Sequence, residues 1–351
     1  MTKALAKAPQ ELGPKSVQYD LFSQFFGDSR DLSNTIELWD AIPKYAVSAR
    51  QQSLMRDANG RLPIHEHEFD YRPAPRLDSQ PIRCKVSIQP ATIKTGGGQL
   101  DFYPSVDEEL IEEVLKKIFT DQHYGLHDAR QPESWVRWTL YMIRKEMKAR
   151  GKSRSYQEIT RSLEILTRSI YEVEITGKGR RLLYTNPILT DLTRITRSDY
   201  IDDPRSTWCA RLPAIVSKSI NDLSYRQFNY GTLMSLSTPL ARWLHKRLSH
   251  QYTNASLHHL YNILYSTIER DSGLLHHSRT TKNITAINAA LDELGSQHVV
   301  LGHSHERRMK GRRIDDVLFE LTPHPDFVRE IKAANARASQ SRERIEQEAN
   351  R

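Results

Sequence analysis

Two histidines separated by a single residue, His303 and His305, are the strongest hint of metal chemistry in the sequence. Residues two apart in a strand point to the same face of the sheet, so both imidazoles could reach one metal ion. DNA-nicking enzymes use a His-hydrophobic-His pair with a nucleophilic tyrosine. Here the middle residue is Ser304, and the nearest Tyr-x-x-Lys resemblance, Tyr141 to Lys145, is one residue too long and precedes the histidines. We therefore assign both histidines to the surface or to phosphate contacts, and we expect no bound metal.

Other patterns that could support catalysis are also incomplete. No Gly-x-x-x-x-Gly-Lys-Ser/Thr segment occurs, so the sequence does not predict a phosphate-binding loop for ATP. The aspartate pairs at 202–203 and 315–316 are isolated, which is typical of caps or turns rather than of a two-metal nuclease. We expect a protein that is not an enzyme and needs no cofactor.

The charge distribution favours an anionic partner. The chain has 351 residues and a formal net charge of +8, a balance for which nucleic acid is the first candidate. Residues 137–181 hold twelve Lys/Arg against five Asp/Glu, and residues 279–313 hold seven against three. No apolar run approaches the ~18 residues of a membrane span. The only two cysteines, Cys84 and Cys209, fit a reducing compartment. We expect a cytoplasmic protein without membrane association.

Hydrophobic periodicity predicts three helices and a hairpin in the first half of the chain. Alternation before and after a Gly-rich turn at residues 96–98 predicts two strands. A helix then begins at Ser105, with Glu108 completing a capping box. A second helix is predicted over residues 135–151, and a third within residues 153–175 runs into a β-hairpin.

The second half is predicted to repeat this order without sequence identity. A strand-like segment over residues 207–216 precedes a series of helices and a long hairpin with a basic tip. One of these helices begins with Thr238 or Ser237 as cap and Pro239 in its first turn. The predicted helices lie around residues 225–234, 237–252, 257–268 and 277–297, and the hairpin spans 298–323.

Helix, helix, helix and hairpin is the element order of a winged helix, in which the third helix enters the major groove of DNA. We therefore predict an α+β fold of two tandem winged-helix domains, with a flexible N-terminal leader and a short charged C-terminal tail. The predicted boundaries are 1–80 for the leader, 81–205 and 206–330 for the two domains, and 331–351 for the tail.

The third helix of each half and the hairpin after it carry the candidate DNA-binding residues. Arg and Gln suit bidentate contacts with base edges, and Lys or Arg on a projecting turn suits phosphate contacts. A solvated helix face or a charged sheet edge is the alternative for each element taken alone. The candidates are Arg154, Ser155, Gln157, Arg161, Arg168, Lys178, Arg180, Arg181, Ser278, Arg279, Thr280, Lys282, Asn283, Arg307, Arg308, Lys310, Arg312 and Arg313.

Residues of about 80–325 resemble plasmid replication initiators of the TrfA type. The resemblance rests on QLDFYPSVDEELIEEVL, on SYQEITRSLEILTRSIYEVEI followed by a basic hairpin, and on YRQFNYGTLMSLSTPLARWLHKRLSHQY. It implies tandem winged helices that bind direct repeats (iterons) in double-stranded origin DNA and help to open the adjacent AT-rich duplex. It also implies recruitment of the host β sliding clamp, the replicative helicase and a host initiator, and self-association into dimers that do not start replication.

The resemblance also implies a function for the segment QYDLF near the N-terminus. Initiators of this type carry a Gln-Leu-Ser/Asp-Leu-Phe motif that binds the sliding clamp, and Gln18, Asp20, Leu21 and Phe22 match it, with Tyr19 in place of the usual Leu. Leu and Phe would fill an apolar pocket while Gln makes polar contacts nearby. Chance occurrence, or packing of these residues on the first domain, is the alternative.

Two other functions fit parts of the sequence. A winged-helix transcriptional repressor would use the same DNA contacts on a palindromic operator and would not bind the clamp. A metal-dependent nicking initiator of the rolling-circle kind would form a covalent tyrosyl-DNA adduct and would depend on His303.

Overall fold

The computed structural model describes residues 31–349, except for 74–79, 122, 178–179, 196–205, 223 and 312. The segment QYDLF, and with it the proposed clamp-binding residues Gln18, Asp20, Leu21 and Phe22, lies outside the described residues. No helix in the described part of the chain is both long and apolar enough to cross a membrane.

Residues 31–73 are folded, so the predicted flexible leader is wrong for this segment. It forms β1 (Leu32–Ile36), α1 (Glu37–Ala41), α2 (Ala49–Met55) and β2 (His65–Tyr71). The side chains of Trp39 and Phe69 are completely buried. The apolar residues of this segment are interspersed with charged ones, and some of these charged residues, such as Asp40 and Lys44, are buried in ion pairs.

Strands on both sides of the glycine turn and the helix after them are confirmed, but the segment before the turn forms two strands where one was predicted. They are β3 (Ile82–Gln89), β4 (Ala91–Thr95), β5 (Gly98–Phe102) and α3 (Val106–Phe119). The Glu108 carboxylate accepts hydrogen bonds from the Ser105 N–H and hydroxyl at 2.8 and 3.0 Å, so the predicted capping box starts α3.

The next helix is shorter than predicted. The chain continues through β6 (Gly125–Asp128), β7 (Glu133–Trp138), α4 (Leu140–Ala149), α5 (Tyr156–Arg168), β8 (Ile170–Gly177) and β9 (Arg180–Asn186). Residues 135–138 were predicted as helix but belong to β7, because Trp135, Val136 and Trp138 are residue types that favour a sheet when a partner strand is present. The third helix and the hairpin are confirmed as α5 and β8–β9.

The predicted boundary after residue 205 is wrong. The first half continues through β10 (Thr190–Ile195), β11 (Thr207–Arg211), α6 (Ala214–Asn221), β12 (Tyr225–Asn229) and α7 (Tyr230–Ser235). β11 lies between β10 and β7 in one sheet, and β12 pairs with β1. The apolar core of this half extends from Ile36 to Met234. We call residues 31–235 the first unit; the helix predicted around 225–234 begins only at Tyr230.

The second unit, residues 236–349, has its own core between Leu236 and Ile331. It contains α8 (Pro239–Gln251), β13 (Tyr261–Leu264), α9 (Tyr265–Ser272), α10 (Thr280–Ser296), β14 (Val300–Lys310), β15 (Arg313–Pro323) and α11 (Pro325–Ala349). The predicted cap is confirmed, since the Thr238 hydroxyl accepts from the Ala241 N–H at 3.2 Å. The helix predicted over 257–268 is wrong before Tyr265, where α9 begins, and residues 261–264 pair with β15.

The predicted charged tail is the continuation of α11. Phe327, Val328, Ile331 and Ala334 of this helix are buried, so its first turns belong to the core of the second unit. The prediction of a fraying tail from residue 331 is therefore wrong for these turns.

The described strands form antiparallel sheets. The two larger sheets of the first unit have the orders β10-β11-β7-β6 and β2-β3-β8-β9, and the sheet of the second unit has the order β13-β15-β14. The pairs β1-β12 and β4-β5 stand apart.

A buried layer of charges joins the two units. α3 of the first unit packs its polar face against α8 of the second. Among the described residues, three ion pairs join α8 to α3 and α1: Arg242 to Glu109 at 2.7 Å, Lys246 to Glu113 at 2.6 Å, and Lys246 to Asp40 at 3.2 Å. All five side chains are buried, so the relative orientation of the units depends on matched charges and not only on apolar contact.

Residues of α1 and the loop after it complete this layer. Burial would raise the pKa of the Asp40 carboxyl, but the ammonium groups of Lys116 and Lys246 outweigh this effect and hold the pKa well below its ordinary value. Burial lowers the pKa of Lys44 to about 8, although Glu112 lies 3.6 Å away and favours the charged form.

Candidate nucleic-acid interface

The helix α5 presents the face predicted from its periodicity. Ile159 and Leu163 are completely buried against the core of the first unit. Gln157, Arg161 and Arg168 lie on the opposite side and are exposed. These three side chains are therefore available to a ligand, as the sequence predicted.

Two predicted contact residues at the start of α5 have structural partners. The guanidinium group of Arg154 donates to Asp107 at 2.6 and 3.0 Å. The Ser155 hydroxyl accepts from the Glu158 N–H at 3.2 Å, and the Glu158 carboxylate accepts from the Ser155 N–H at 2.7 Å. Both residues thus help to fix the start of α5, and a DNA contact by either one stays a prediction.

The β4–β5 hairpin packs beside α5 and brings further cations to it. Arg161 lies over the ring of Phe102 at 5.3 Å, and Arg56 lies over the same ring at 5.2 Å. Arg168 donates to the Thr92 carbonyl at 3.3 Å. We call these cations, together with two more on or beside the hairpin, the first basic band; it consists of Arg56, Arg61, Lys94, Arg161 and Arg168.

Three members of the first basic band were missed in the sequence. Arg56 and Arg61 fall in a stretch interpreted as flexible, and Lys94 precedes a glycine turn. Arg61 is half-exposed and donates to Asp101 at 3.0 Å. Burial would raise the pKa of Asp101, but hydrogen bonds from Thr92, the Leu62 N–H and Arg61 outweigh it and lower the pKa. Arg61 is thus partly neutralised, whereas the exposed Lys94 is not.

One of the three cations predicted on the β8–β9 hairpin has an acidic partner. Arg181 is exposed and donates to Glu174 at 2.6 Å across the hairpin. Lys178 and the side chain of Arg180 lie outside what the structure describes. Phosphate contacts by this hairpin stay a prediction.

The start of α10 is exposed and cationic. Ser278, Arg279 and Lys282 are exposed, and Thr280 is half-buried. The first N–H groups of a helix lack partners within the helix and, with the helix dipole, attract anions. The predicted residues at this helix start, Asn283 excepted, are therefore arranged so that they can meet a phosphate or a base edge.

Asn283 is the exception, and its prediction as a DNA contact is wrong. Its side chain is 1% exposed. The amide nitrogen donates to the Tyr265 hydroxyl at 2.9 Å and to the His277 carbonyl at 3.0 Å, and the amide oxygen accepts from the His277 N–H at 3.0 Å. Asn283 therefore fixes the chain that enters α10.

The far end of the β14–β15 hairpin carries the densest positive charge. Arg307, Arg308, Lys310 and Arg313 are exposed. Within the described part of the chain, no ion pair of the second unit involves these four side chains. Arg312, at the turn itself, lies outside the described residues. We call residues 307–313 the wing tip.

The residues considered for catalysis do not converge. His303 lies 2.9 Å from Asp292, and His305 packs against the ring of Phe319 with centroids 5.6 Å apart. Asp316 accepts from the Ser266 N–H at 3.1 Å at the start of α9. These side chains thus contact different neighbours and do not share a site. The aspartate pair at 202–203 lies outside the described residues.

Comparisons with known proteins give only distant similarities. No protein-family model matches the chain, and no curated protein matches it. Domains 2 and 3 of RctB superpose with a TM-score of 0.46 and 10% identity over 81% of this chain and 99% of that one. A second structure of these RctB domains gives a TM-score of 0.43 at 10% identity, covering 78% and 95%.

Another similar structure is the Pi initiator protein in complex with iteron DNA. Its TM-score is 0.41 at 11% identity, over 63% of this chain and 95% of that chain.

Proposed function

We propose that this chain is a plasmid replication initiator that binds direct repeats in double-stranded origin DNA through two tandem winged-helix units. In this role it opens the adjacent AT-rich duplex and recruits the host sliding clamp, the replicative helicase and a host initiator, and it has no catalytic activity of its own. The sequence resemblance supports the class of function, and the exposed cations support the mode of DNA binding.

The element order of the second unit supports the winged-helix assignment. α8, α9 and α10 are followed by the β14–β15 hairpin, and the short strand β13 pairs with β15. In a winged helix the third helix enters the major groove and the hairpin lies alongside it. α10 and the wing tip would take these two places.

The first unit follows the same helical order with additions. α3, α4 and α5 precede the β8–β9 hairpin, β6 and β7 are inserted between α3 and α4, and β8 has β3 as its second neighbour. α5 would be its recognition helix. The first basic band beside α5 would then contact the backbone next to the bases that Gln157 and Arg161 read.

One observation carries the proposal: the α10 start and the wing tip are both exposed and cationic, and they belong to the helix and the hairpin that a winged helix applies to DNA. Arg279 at a helix start can donate two hydrogen bonds to a guanine, which gives sequence preference. Arg307, Arg308 and Lys310 on a projecting hairpin suit phosphates, which give affinity and position.

A replication assay distinguishes an initiator from a repressor with the same DNA contacts. A circular DNA that carries this gene, its flanking DNA and a selectable marker, but no other origin, should be maintained in a suitable host. The same circle with Arg279→Ala, Arg308→Ala and Lys310→Ala combined should be lost. If the circle is never maintained although the purified protein binds a palindrome beside its gene, a repressor is the better assignment.

A further inference from the structure

Two histidines and an aspartate meet where α10, β14 and α11 come together. His298 follows the last turn of α10, His324 immediately precedes α11, and Asp326 is in the first turn of α11. One nitrogen of each ring and a carboxylate oxygen lie within 4.8 Å of one another. None of these three residues belongs to the proposed DNA-binding surfaces.

The separations suit a tetrahedral metal centre. With metal–ligand bonds of about 2.0–2.1 Å, the ligand atoms of a tetrahedral zinc site lie roughly 3.4 Å apart. Asp326 Oδ2 lies 3.1 Å from His298 Nδ1 and 3.5 Å from His324 Nδ1. The two rings are stacked, with centroids 4.6 Å apart, so both nitrogens reach the same carboxylate oxygen from neighbouring planes.

The surroundings hold the carboxylate in place. The second carboxylate oxygen of Asp326, Oδ1, accepts from the Arg329 guanidinium group, as groups around a metal often orient its ligands. His324 Nδ1 accepts only a long hydrogen bond, 3.2 Å, from the Asp326 N–H. A metal could replace this bond at little cost, because the first N–H groups of a helix commonly bond to solvent.

The backbone at His298 is unusual for this residue type. Its φ is +58°, in the left-handed region, at the position after a helix where glycine or asparagine is ordinarily found. A histidine here brings strain that glycine would avoid. The side chain is 65% exposed, so core packing does not explain a histidine at this position.

Two of the three residues, His298 and Asp326, line an open polar cleft of about 300 Å³. Asn229 and Thr232 of the first unit and Gln297 and Glu330 of the second line it beside His298. The cleft gives a metal ion access from solvent and leaves room for a water molecule as fourth ligand. Glu330 adds negative charge nearby, which favours a cation.

We propose that His298, His324 and Asp326 bind a divalent transition-metal ion, with Zn²⁺ the best fit and water as the fourth ligand. Two imidazoles and one carboxylate favour zinc and its neighbours over Mg²⁺ or Ca²⁺, which prefer oxygen ligands. The ion ties the end of α10 and the start of β14 to α11. It therefore stabilises the base of the hairpin whose far end is the wing tip.

Titration of the untagged, chelator-treated full-length protein with Zn²⁺ tests the proposal directly. Calorimetry should show one-to-one binding at micromolar or lower concentration, and Zn²⁺ should raise the melting temperature. Co²⁺ in place of Zn²⁺ should give the visible absorption of a tetrahedral site. Mg²⁺ at the same concentrations should do neither.

His298→Gly is the decisive variant, because it removes a ligand and relieves the left-handed strain together. It should fold with an undiminished melting temperature in the absence of metal and should lose the Zn²⁺ effect; His324→Ala and Asp326→Asn should also lose it. The control variant His303→Ala with His305→Ala removes two histidines of β14 that are not proposed ligands, and it should bind Zn²⁺ normally. Absence of Zn²⁺ binding by the unaltered protein, or binding that His298→Gly leaves unchanged, would overturn the proposal.

Discussion

Lys246 of the second unit donates a hydrogen bond to Glu113 of the first unit across 2.6 Å, and both side chains are buried. Lys246 also reaches Asp40 at 3.2 Å, and Lys116 pairs with both carboxylates at 2.9 and 2.8 Å. Two ammonium groups and two carboxylates therefore balance at the junction of the units. This balance helps to set how the two units face one another.

Removing one charge from this buried cluster should destabilise the protein. Lys246→Met leaves Glu113 and Asp40 to share the ion pair with Lys116, and breaking a buried pair on one side ordinarily costs about 3–5 kcal/mol. Urea denaturation at neutral pH should show this loss in the free energy of unfolding. The double variant Lys246→Met with Glu113→Leu leaves Asp40 paired with Lys116 and should recover part of it. A single variant as stable as the unaltered protein would contradict the role given to Lys246.

Two histidines of α8 should make stability depend on pH. Burial lowers the pKa of His245 and of His250 to about 3. The unfolded chain takes up these protons near its ordinary pKa of about 6.5, so it binds more protons than the folded chain between those values. The free energy of unfolding should therefore fall as pH decreases from about 6.5, by up to ~1.4 kcal/mol per pH unit for each histidine.

Urea denaturation at pH 7, 6 and 5 measures this slope above the range in which most carboxylates titrate. His245→Leu should reduce the slope by the share of one histidine, since leucine takes up no proton in either state. An unchanged free energy of unfolding between pH 7 and 5 in the unaltered protein would show that these imidazoles are protonated in the folded chain.

Arg279 and Asn283 lie about one helical turn apart, but replacing Arg279 should weaken DNA binding whereas replacing Asn283 should reduce stability. Arg279→Ala should weaken binding to the specific repeat by about 1–3 kcal/mol and leave binding to random duplex nearly unchanged. Asn283→Ala removes the buried hydrogen bonds to the Tyr265 hydroxyl and to the His277 backbone, which should cost about 1–3 kcal/mol of stability. Gel-shift titrations on both duplexes and urea denaturation separate the two effects. Equal losses of Arg279→Ala on both duplexes would make Arg279 a phosphate contact.

The wing tip should contribute sequence-independent affinity. Arg313→Ala should weaken binding to all duplexes, and it should reduce the dependence of log K on log salt by about one unit if one phosphate contact is lost. Binding measured by fluorescence anisotropy at four salt concentrations gives this slope. Arg83→Ala, which removes an exposed arginine that pairs with Glu68 at 3.0 Å, is the matched control. An unchanged slope in Arg313→Ala would remove Arg313 from the interface.

The N-terminal motif should act apart from DNA binding. Leu21→Ala with Phe22→Ala removes both apolar anchors of the proposed clamp-binding peptide, so binding to purified β sliding clamp should fall below detection. Binding to the repeats should stay as it is. Loss of DNA binding with retained clamp binding would instead assign this segment to the fold.

Local signals in the sequence predicted the helices and hairpins whose ends carry recognisable capping or turn residues. Ser105 with Glu108, and Thr238 with Pro239, mark helix starts that the structure confirms, because capping depends on neighbours in the chain. The hairpins after α5 and α10 follow from alternation around glycine turns. The exposed face of α5 follows from its periodicity.

Contacts between residues far apart in the chain determine the structural features that the sequence patterns missed. Asp40 and Lys44 look like residues of a polar leader, yet they are buried because their partners Lys116 and Glu112 lie far along the chain. Residues 135–138 are a strand because β11, some seventy residues later, pairs with them. Asn283 was predicted to be a surface amide, but α9 and the chain before α10 bury it in the structure.

A footprint of the purified protein on the DNA that flanks its gene, at two salt concentrations, tests the central claim most directly. Protection of evenly spaced direct repeats that persists at the higher salt is the result expected of a replication initiator with base-reading helices. A single protected palindrome would contradict initiation at direct repeats and would favour a repressor. Protection that disappears at the higher salt would mean that the basic surface binds DNA without regard to sequence.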